Sequence, residues 1–194
     1  HVYGTYSAAN LVVSIATSFT ILGMMDAANY FYHNKELNKK DSINTIAFLQ
    51  VTIGLLCAAT ILLLKDSITA YFNNPMLDRM YVYLIFRPML ENLSNSLLSL
   101  QMAIGKARAV GIRNGLFSLC KLAAVLLTSY VTERIITLFV AYLIMDVMTV
   151  AYYYFNFRKA DFPINPFAFK KDMIVPILQF SVPMGIYVIS NTFA

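Results

Sequence analysis

YVYLIFRPMLENLSNSLLSLQMAI, Tyr81 to Ile104, decides how the chain is read. It is long enough to cross a bilayer, for which roughly 20 residues suffice. Yet Arg87 and Glu91 sit near its middle, with Pro88 between them. At about 100° per residue, Arg87, Glu91, Ser94, Asn95 and Gln101 share one broad sector. Phe86, Leu90, Leu93, Leu97, Leu100 and Ile104 lie opposite, at helical spacing. The stretch therefore predicts a helix with an apolar back and a polar front. A charge facing lipid costs a few kcal/mol or more, about 2.5–3.5 for Arg at a helix centre by insertion scales. Such a helix belongs where other helices wall its polar front.

The composition agrees with this setting. The 194 residues are 59% hydrophobic and 13% charged, about half the charge of a soluble domain. The net charge of +5 is carried in short loops between apolar runs, which is not a nucleic-acid footprint. Cys57 and Cys120 lie inside apolar runs and suggest neither a disulfide framework nor a metal site. No cleavable signal peptide is visible. The chain opens on a histidine and closes within an apolar run, which reads as a piece of a longer protein.

Outward from the polar helix, five further apolar runs are predicted to cross. The first spans about 6–32, the second 42–64, the fourth 116–131 and the fifth 135–157; a sixth begins at Met173. The loop Lys65 to Arg79 has turn chemistry at Asn73, Asn74 and Pro75. The basic loop is Gly105 to Gly115, and Glu133 and Arg134 form the tightest connection. Residues 1–156 thus form five transmembrane helices, 157–172 an interfacial linker, and 173–194 the start of a further helix. Alternating the loops puts ten Lys and Arg on one side: Lys35, Lys39, Lys40, Lys106, Arg108, Arg113, Arg158, Lys159, Lys170 and Lys171. The other side receives three, Lys65, Arg79 and Arg134. The positive-inside rule assigns the ten to the cytoplasm. The start of the chain then lies outside, and loops 33–41, 105–115 and 157–172 lie inside.

The candidate site residues follow from charge placed inside spans. Arg87 and Glu91, four apart, can pair with each other or wall a transport cavity. Arg offers a planar fork suited to phosphate or carboxylate. Lys121 shares a face with Asn114, Ser118, Val125 and Thr128; Asp146 shares one with Tyr142, Thr149 and Tyr153. Lys121 and Asp146 are either partners across adjacent helices or separate groups. In the second case Lys121 is a cation for an anionic ligand and Asp146 a carrier of a coupling H+ or Na+. Asp26, with Asn29, Tyr30 and His33, reads either as a solvated cap at the inner end of the first span or as part of the cavity. Pro88, Pro176, Pro183 and Gly185 are candidate hinge points. The 157–172 segment interleaves phenylalanines with Lys and Arg, as suits contact with an anionic leaflet. It is expected to slide along that leaflet as the following helix flexes. No HExxH, GxSxG, phosphate-binding glycine loop or metal-ligand cluster is present, so neither catalysis nor a cofactor is expected.

YGTYSAANLVVSIATSFTILGMMDAANYFYH, Tyr3 to His33, resembles the second helix of bacterial polysaccharide (O-antigen type) flippases of the MOP exporter superfamily. FSVPMGIYVISNTFA, Phe180 to Ala194, is similar to their seventh helix, with its F-x-x-P pattern. The resemblance implies an all-α, MOP/MATE-like N-terminal lobe and the opening of a second lobe, around a central cavity. It also implies a multi-pass inner-membrane protein that carries undecaprenyl-diphosphate-linked oligosaccharide across the bilayer by alternating access, for surface polysaccharide assembly. Its partners would be that substrate, membrane lipids and an H+ or Na+ coupling ion, with no nucleic acid. The family offers no short substrate motif, so the site residues rest on buried charge: Arg87, Glu91, Asn95, Lys121, Asp146 and Asp26. Three competing readings stay open. One is a cation-coupled antiporter, which Asp26, Glu91 and Asp146 would suit. The others are a membrane-embedded glycan polymerase or transferase, and a scaffold whose buried charges only pair helices.

Overall fold

The computed structural model describes residues 2–21, 23–34, 38–131, 135–160 and 163–193. Within these the chain is helical, with no strand. In order, the helices are α1 (Val2–Ile21), α2 (Met24–His33), α3 (Lys39–Leu63), α4 (Lys65–Tyr71), α5 (Tyr81–Ala103), α6 (Ala107–Val131), α7 (Ile135–Ala160) and α8 (Lys171–Phe193). Short 3-10 turns occupy Pro75–Met80 and Pro166–Ala168. Four stretches are long and apolar enough to cross a membrane: Gly4–His33, Lys39–Leu63, Val110–Leu127 and Ile136–Lys159.

Asparagines set three of the starts. Asn38, Asn74 and Asn165 each accept a backbone N–H two residues on, opening α3 and the two 3-10 turns. Pro75 and Pro166 follow their caps directly, where a missing N–H costs nothing. Gly105, at φ 78°, ends α5 in the left-handed conformation that suits glycine. Two expected loops prove to be partly helical. The 105–115 loop turns only at its start, and α6 runs from Ala107. The 65–79 loop holds α4 and a 3-10 turn.

α5 is the axis of the bundle. It packs against α7, α3, α1 and α2, so the helix carrying the mid-span charges is enclosed by protein along most of its length. This modifies the expectation of an apolar back turned away from a polar front. Leu97 and Leu100 join the core, and so do Asn92, Ser96 and Gln101. A helix walled by neighbours on most sides has no need of a lipid-facing surface, and polar groups are tolerated all round where each is bonded. Gln101 Nε2 reaches the Tyr153 carbonyl at 3.4 Å, and Gln50 Nε2 donates to Ser96 Oγ.

The apolar core forms two clusters, one at each end of the bundle. One gathers α2, the first half of α3, and the ends of α5 and α7 around Met24, Ile43, Tyr153 and Phe157. The other gathers α1, the end of α3 and the start of α5 around Leu77, Tyr83, Leu84 and Phe139. The loops separate accordingly. At one end Lys106 Nζ meets the Asn156 carbonyl at 3.4 Å, and Asn165 N donates to Asn44 Oδ1 at 2.9 Å. At the other, Asn74 Nδ2 meets Thr5 Oγ1 at 2.9 Å, and the Tyr81 hydroxyl donates to the Lys65 carbonyl at 2.6 Å. The loops containing Lys39, Lys40, Lys106, Arg108, Lys159 and Lys170 therefore gather at one end, as the sequence implies. Lys35, Glu133 and Arg134 lie outside the described residues.

One expectation about continuity is corrected. The first span is not one helix: it breaks at Gly23, whose φ of 65° no right-handed helix contains. The linker, expected to slide along the leaflet, is bonded to α3 in this structure. Its Asn165 N is bonded to Asn44 and its Lys170 N to Thr45 Oγ1, at 3.0 Å, while Phe169 stacks on Phe48 with centroids 3.9 Å apart. These contacts stitch it to α3. Neither proline in α8 interrupts that helix, which packs on α1, α2 and α3.

Candidate functional site

On α1, Asn10, Ser14, Thr17 and Ser18 follow one another at steps of four, three and one, which aligns them on a single face. That face looks onto Tyr83, Arg87 and Glu91 of α5. Together with Val13 these residues line an open cavity of about 350 Å³. Its walls offer hydroxyls, one carboxamide, one guanidinium and one carboxylate.

Arg87 is the centre of the charge cluster. Its Nε lies 2.9 Å from Asp146 Oδ2 of α7 and 3.7 Å from Glu91 Oε2, one turn along α5. Its Nη1 donates to the Tyr83 hydroxyl at 3.1 Å, and Thr17 Oγ1 donates to Glu91 Oε2 at 3.4 Å. Arg87 and Asp146 expose only 14% and 13% of their side chains, whereas Glu91 exposes 38%. The Arg87–Asp146 contact is short but not aligned as a hydrogen bond, so Nε and Oδ2 are both buried without a directed partner. Such a pair attracts by charge while keeping hydrogen-bonding capacity in reserve.

Asp146 is thus held by Arg87 and not by Lys121, which corrects one of the two readings of those groups. Lys121 lies half-buried on α6, and no carboxylate among the described residues is within ion-pair distance of it. On its face, Asn114 instead accepts from the Tyr153 hydroxyl at 3.5 Å, and the Thr128 side chain lies outside the described residues. Asn95 is half-buried but does not line the cavity. Asp26 is remote from Arg87. It borders a different open groove of about 600 Å³ with Asn29, Tyr30, His33 and Asn34. The structure therefore brings together Arg87, Glu91 and Asp146, keeps Lys121 within electrostatic reach of Asp146 but beyond ion-pair distance, and leaves Asn95 and Asp26 elsewhere. Among the described residues no three His, Cys, Asp or Glu side chains group to hold a metal.

No family model, curated protein or solved structure matches this chain. What the site can do is therefore read from its own groups.

The break at Gly23 lies beside the cavity wall. α1 ends at Ile21, and the Thr20 carbonyl, which a continuous helix would offer to Met24, instead accepts from Asn92 Nδ2 at 2.7 Å. A Cβ on Gly23 would come 2.5 Å from the Ser181 carbonyl oxygen and 2.7 Å from Met184 Cβ. The broken span and α8 thus touch backbone to backbone, beside Pro183. A polar side chain from α5 bonds the carbonyl that the break frees, as a buried backbone group requires. The polar face of α1 was visible in its spacing but carried no charge to draw attention. The break leaves only a single glycine in an apolar run, a weak signal.

Proposed function

We propose that this chain belongs to a membrane transporter that flips a lipid-linked oligosaccharide, with the α1–α5 cavity as part of the substrate path. The observation that carries the reading is the lining of that cavity. Asn10, Ser14, Thr17, Ser18 and Tyr83 offer a row of hydroxyl and amide groups beside Arg87. Sugar hydroxyls need donors and acceptors in about equal number, and hydroxyl and amide side chains supply both. A guanidinium next to them suits the phosphates of the carrier. The resemblance of Tyr3 to His33 and Phe180 to Ala194 to polysaccharide flippases of the MOP superfamily supports the same reading. An MOP/MATE-like lobe and an inner-membrane location belong to this proposal.

One observation favours a second reading, a cation-coupled antiporter. The cluster holds one cation against two carboxylates, and Glu91 is open to the cavity. In the flippase reading, the substrate phosphate displaces a carboxylate from Arg87.

The test is complementation by the intact protein in cells that lack surface polysaccharide for want of it. Arg87→Ala should lower polysaccharide export roughly 10- to 100-fold, the value of one lost charged hydrogen bond of about 1.5–3 kcal/mol. Arg87→Lys should rescue in part. Full export by Arg87→Ala at equal protein level would overturn the reading, and export unchanged alongside lost resistance to a cationic compound would favour the antiporter.

A further inference from the structure

At the end of the bundle where the basic loops gather, a second groove opens between α3, α7 and the stitched linker. Lys40, Tyr154, Arg158, Asn165 and Phe167 help line it, around a volume of about 490 Å³. Lys40 and Arg158 are exposed, and neither has a carboxylate within ion-pair distance among the described residues. Phe167 stands beside them 91% exposed. A bare phenylalanine beside two cations that have no carboxylate partner among the described residues is a combination that an anionic membrane surface satisfies.

The groove has an apolar annex. Tyr154, Ile164 and Pro166 line both the groove and an inner cavity of about 170 Å³, which continues between α3 and α5 past Ile46, Leu97 and Leu100. That is close to the size of a cavity of about 150 Å³ that stays dry and takes an apolar guest. Its polar wall atoms, Gln50 Nε2 and Ser96 Oγ, bond each other, so its lining asks for no polar ligand. The mouth is preformed. Asn44 Oδ1 and Thr45 Oγ1 fix the linker backbone, and the Tyr154 hydroxyl donates to the Ile164 carbonyl at 3.3 Å.

We propose that this groove and cavity hold one acidic phospholipid, its phosphate between Lys40 and Arg158 and a stretch of acyl chain in the inner cavity. A soluble anion would use the cations and leave the apolar annex empty; a neutral lipid would use the annex and leave the cations bare. Only an amphipathic anion uses both. The site shares no lining residue with the α1–α5 cavity, so it does not depend on what that cavity carries.

The experiment uses the intact protein, delipidated in neutral detergent. Native mass spectrometry counts retained lipid, and thermal unfolding is followed with phosphatidylglycerol, phosphatidylcholine or inorganic phosphate added. The parent should retain one phosphatidylglycerol at least about tenfold more strongly than phosphatidylcholine. It should also unfold at a higher temperature with phosphatidylglycerol alone, because a ligand of the folded state stabilises it. Lys40→Gln with Arg158→Gln changes only exposed side chains. The double variant should fold as the parent does in lipid-free detergent and lose that preference. Equal retention of the two lipids, or a double variant that still prefers phosphatidylglycerol, would overturn the site. Inorganic phosphate matching the lipid's thermal shift would make it a free-anion site and overturn the proposal as stated.

Discussion

Arg87 and Asp146 meet at 2.9 Å with most of each side chain buried. Removing one partner of a buried pair leaves an uncompensated charge and costs about 3–5 kcal/mol, whereas removing both is often nearly neutral. Arg87→Ala should therefore lower the amount of folded protein sharply, because it leaves Asp146 and Glu91 without their shared cation. Asp146→Ala should do so less, because Arg87 keeps Glu91 at 3.7 Å and the Tyr83 hydroxyl at 3.1 Å. The double variant should recover much of the loss. A double-mutant cycle on thermal stability or membrane accumulation checks this, and two losses that simply add would show that the contact carries no coupling. The cluster was only partly legible in the sequence. Helical spacing gives Arg87 and Glu91 as neighbours because both sit on one helix. It cannot say whether Asp146, two helices later, faces Arg87 or Lys121, since both cations lie mid-span and the choice depends on how α6 and α7 pack. Asn10, Ser14 and Thr17 have the right spacing, but small uncharged residues at such positions also serve simple helix packing.

At the scale of elements, the broken first span is the feature whose position matters most. α1 and α2 meet at Gly23, where a left-handed residue must also admit the backbone of α8. An L-residue pays about 1–2 kcal/mol for that conformation alone. A Cβ there also meets the Ser181 carbonyl, which cannot swing aside as a flexible side chain can. Gly23→Ala should thus lower the unfolding temperature of the purified protein by several degrees or abolish accumulation. Gly54→Ala, whose Cβ would meet only the Met89 side chain, should be milder. Equal stability for the parent and Gly23→Ala would show that the break can relax. Hydrophobic run lengths gave the long helices α3, α5, α6, α7 and α8, because run length is a local property, but not the short α4. They did not give the break or the stitching of the linker to α3, because both depend on contacts with residues dozens of positions away. Asn44 and Thr45 show no hint in sequence that their side chains hold the backbone of residues 165 and 170.

The whole molecule separates its loops to two ends, and the basic residues follow. If the cation-rich end faces the cytoplasm, cysteines at Arg108 and Asn38 should react with an impermeant reagent only after the cells are opened. One at Tyr71, exposed at the opposite end, should react in intact cells. Cys57 and Cys120 are free thiols and are first replaced by alanine. Reaction at Asn38 in intact cells would reverse the orientation. α6 and α7 are legible as helices long and apolar enough to cross a membrane because their outer faces stay apolar. α5, read from its sequence as a span, is not among the four stretches apolar enough to cross a membrane; its polar residues are enclosed by the bundle.

The bond from Asn92 to the Thr20 carbonyl joins residues 72 positions apart. A ribosome making roughly 5–20 residues per second delivers the second about 4 to 14 s after the first. Until then a carbonyl freed by a break at Gly23 would have no protein partner, which the hydrocarbon core does not tolerate. The newly inserted first span is therefore expected to be one straight helix, with Thr20 bonded to Met24. It bends only when α5 arrives to take over the carbonyl. In a chain that enters a bilayer span by span, the kink is then a product of assembly order, made late by a helix that did not exist when its host was inserted.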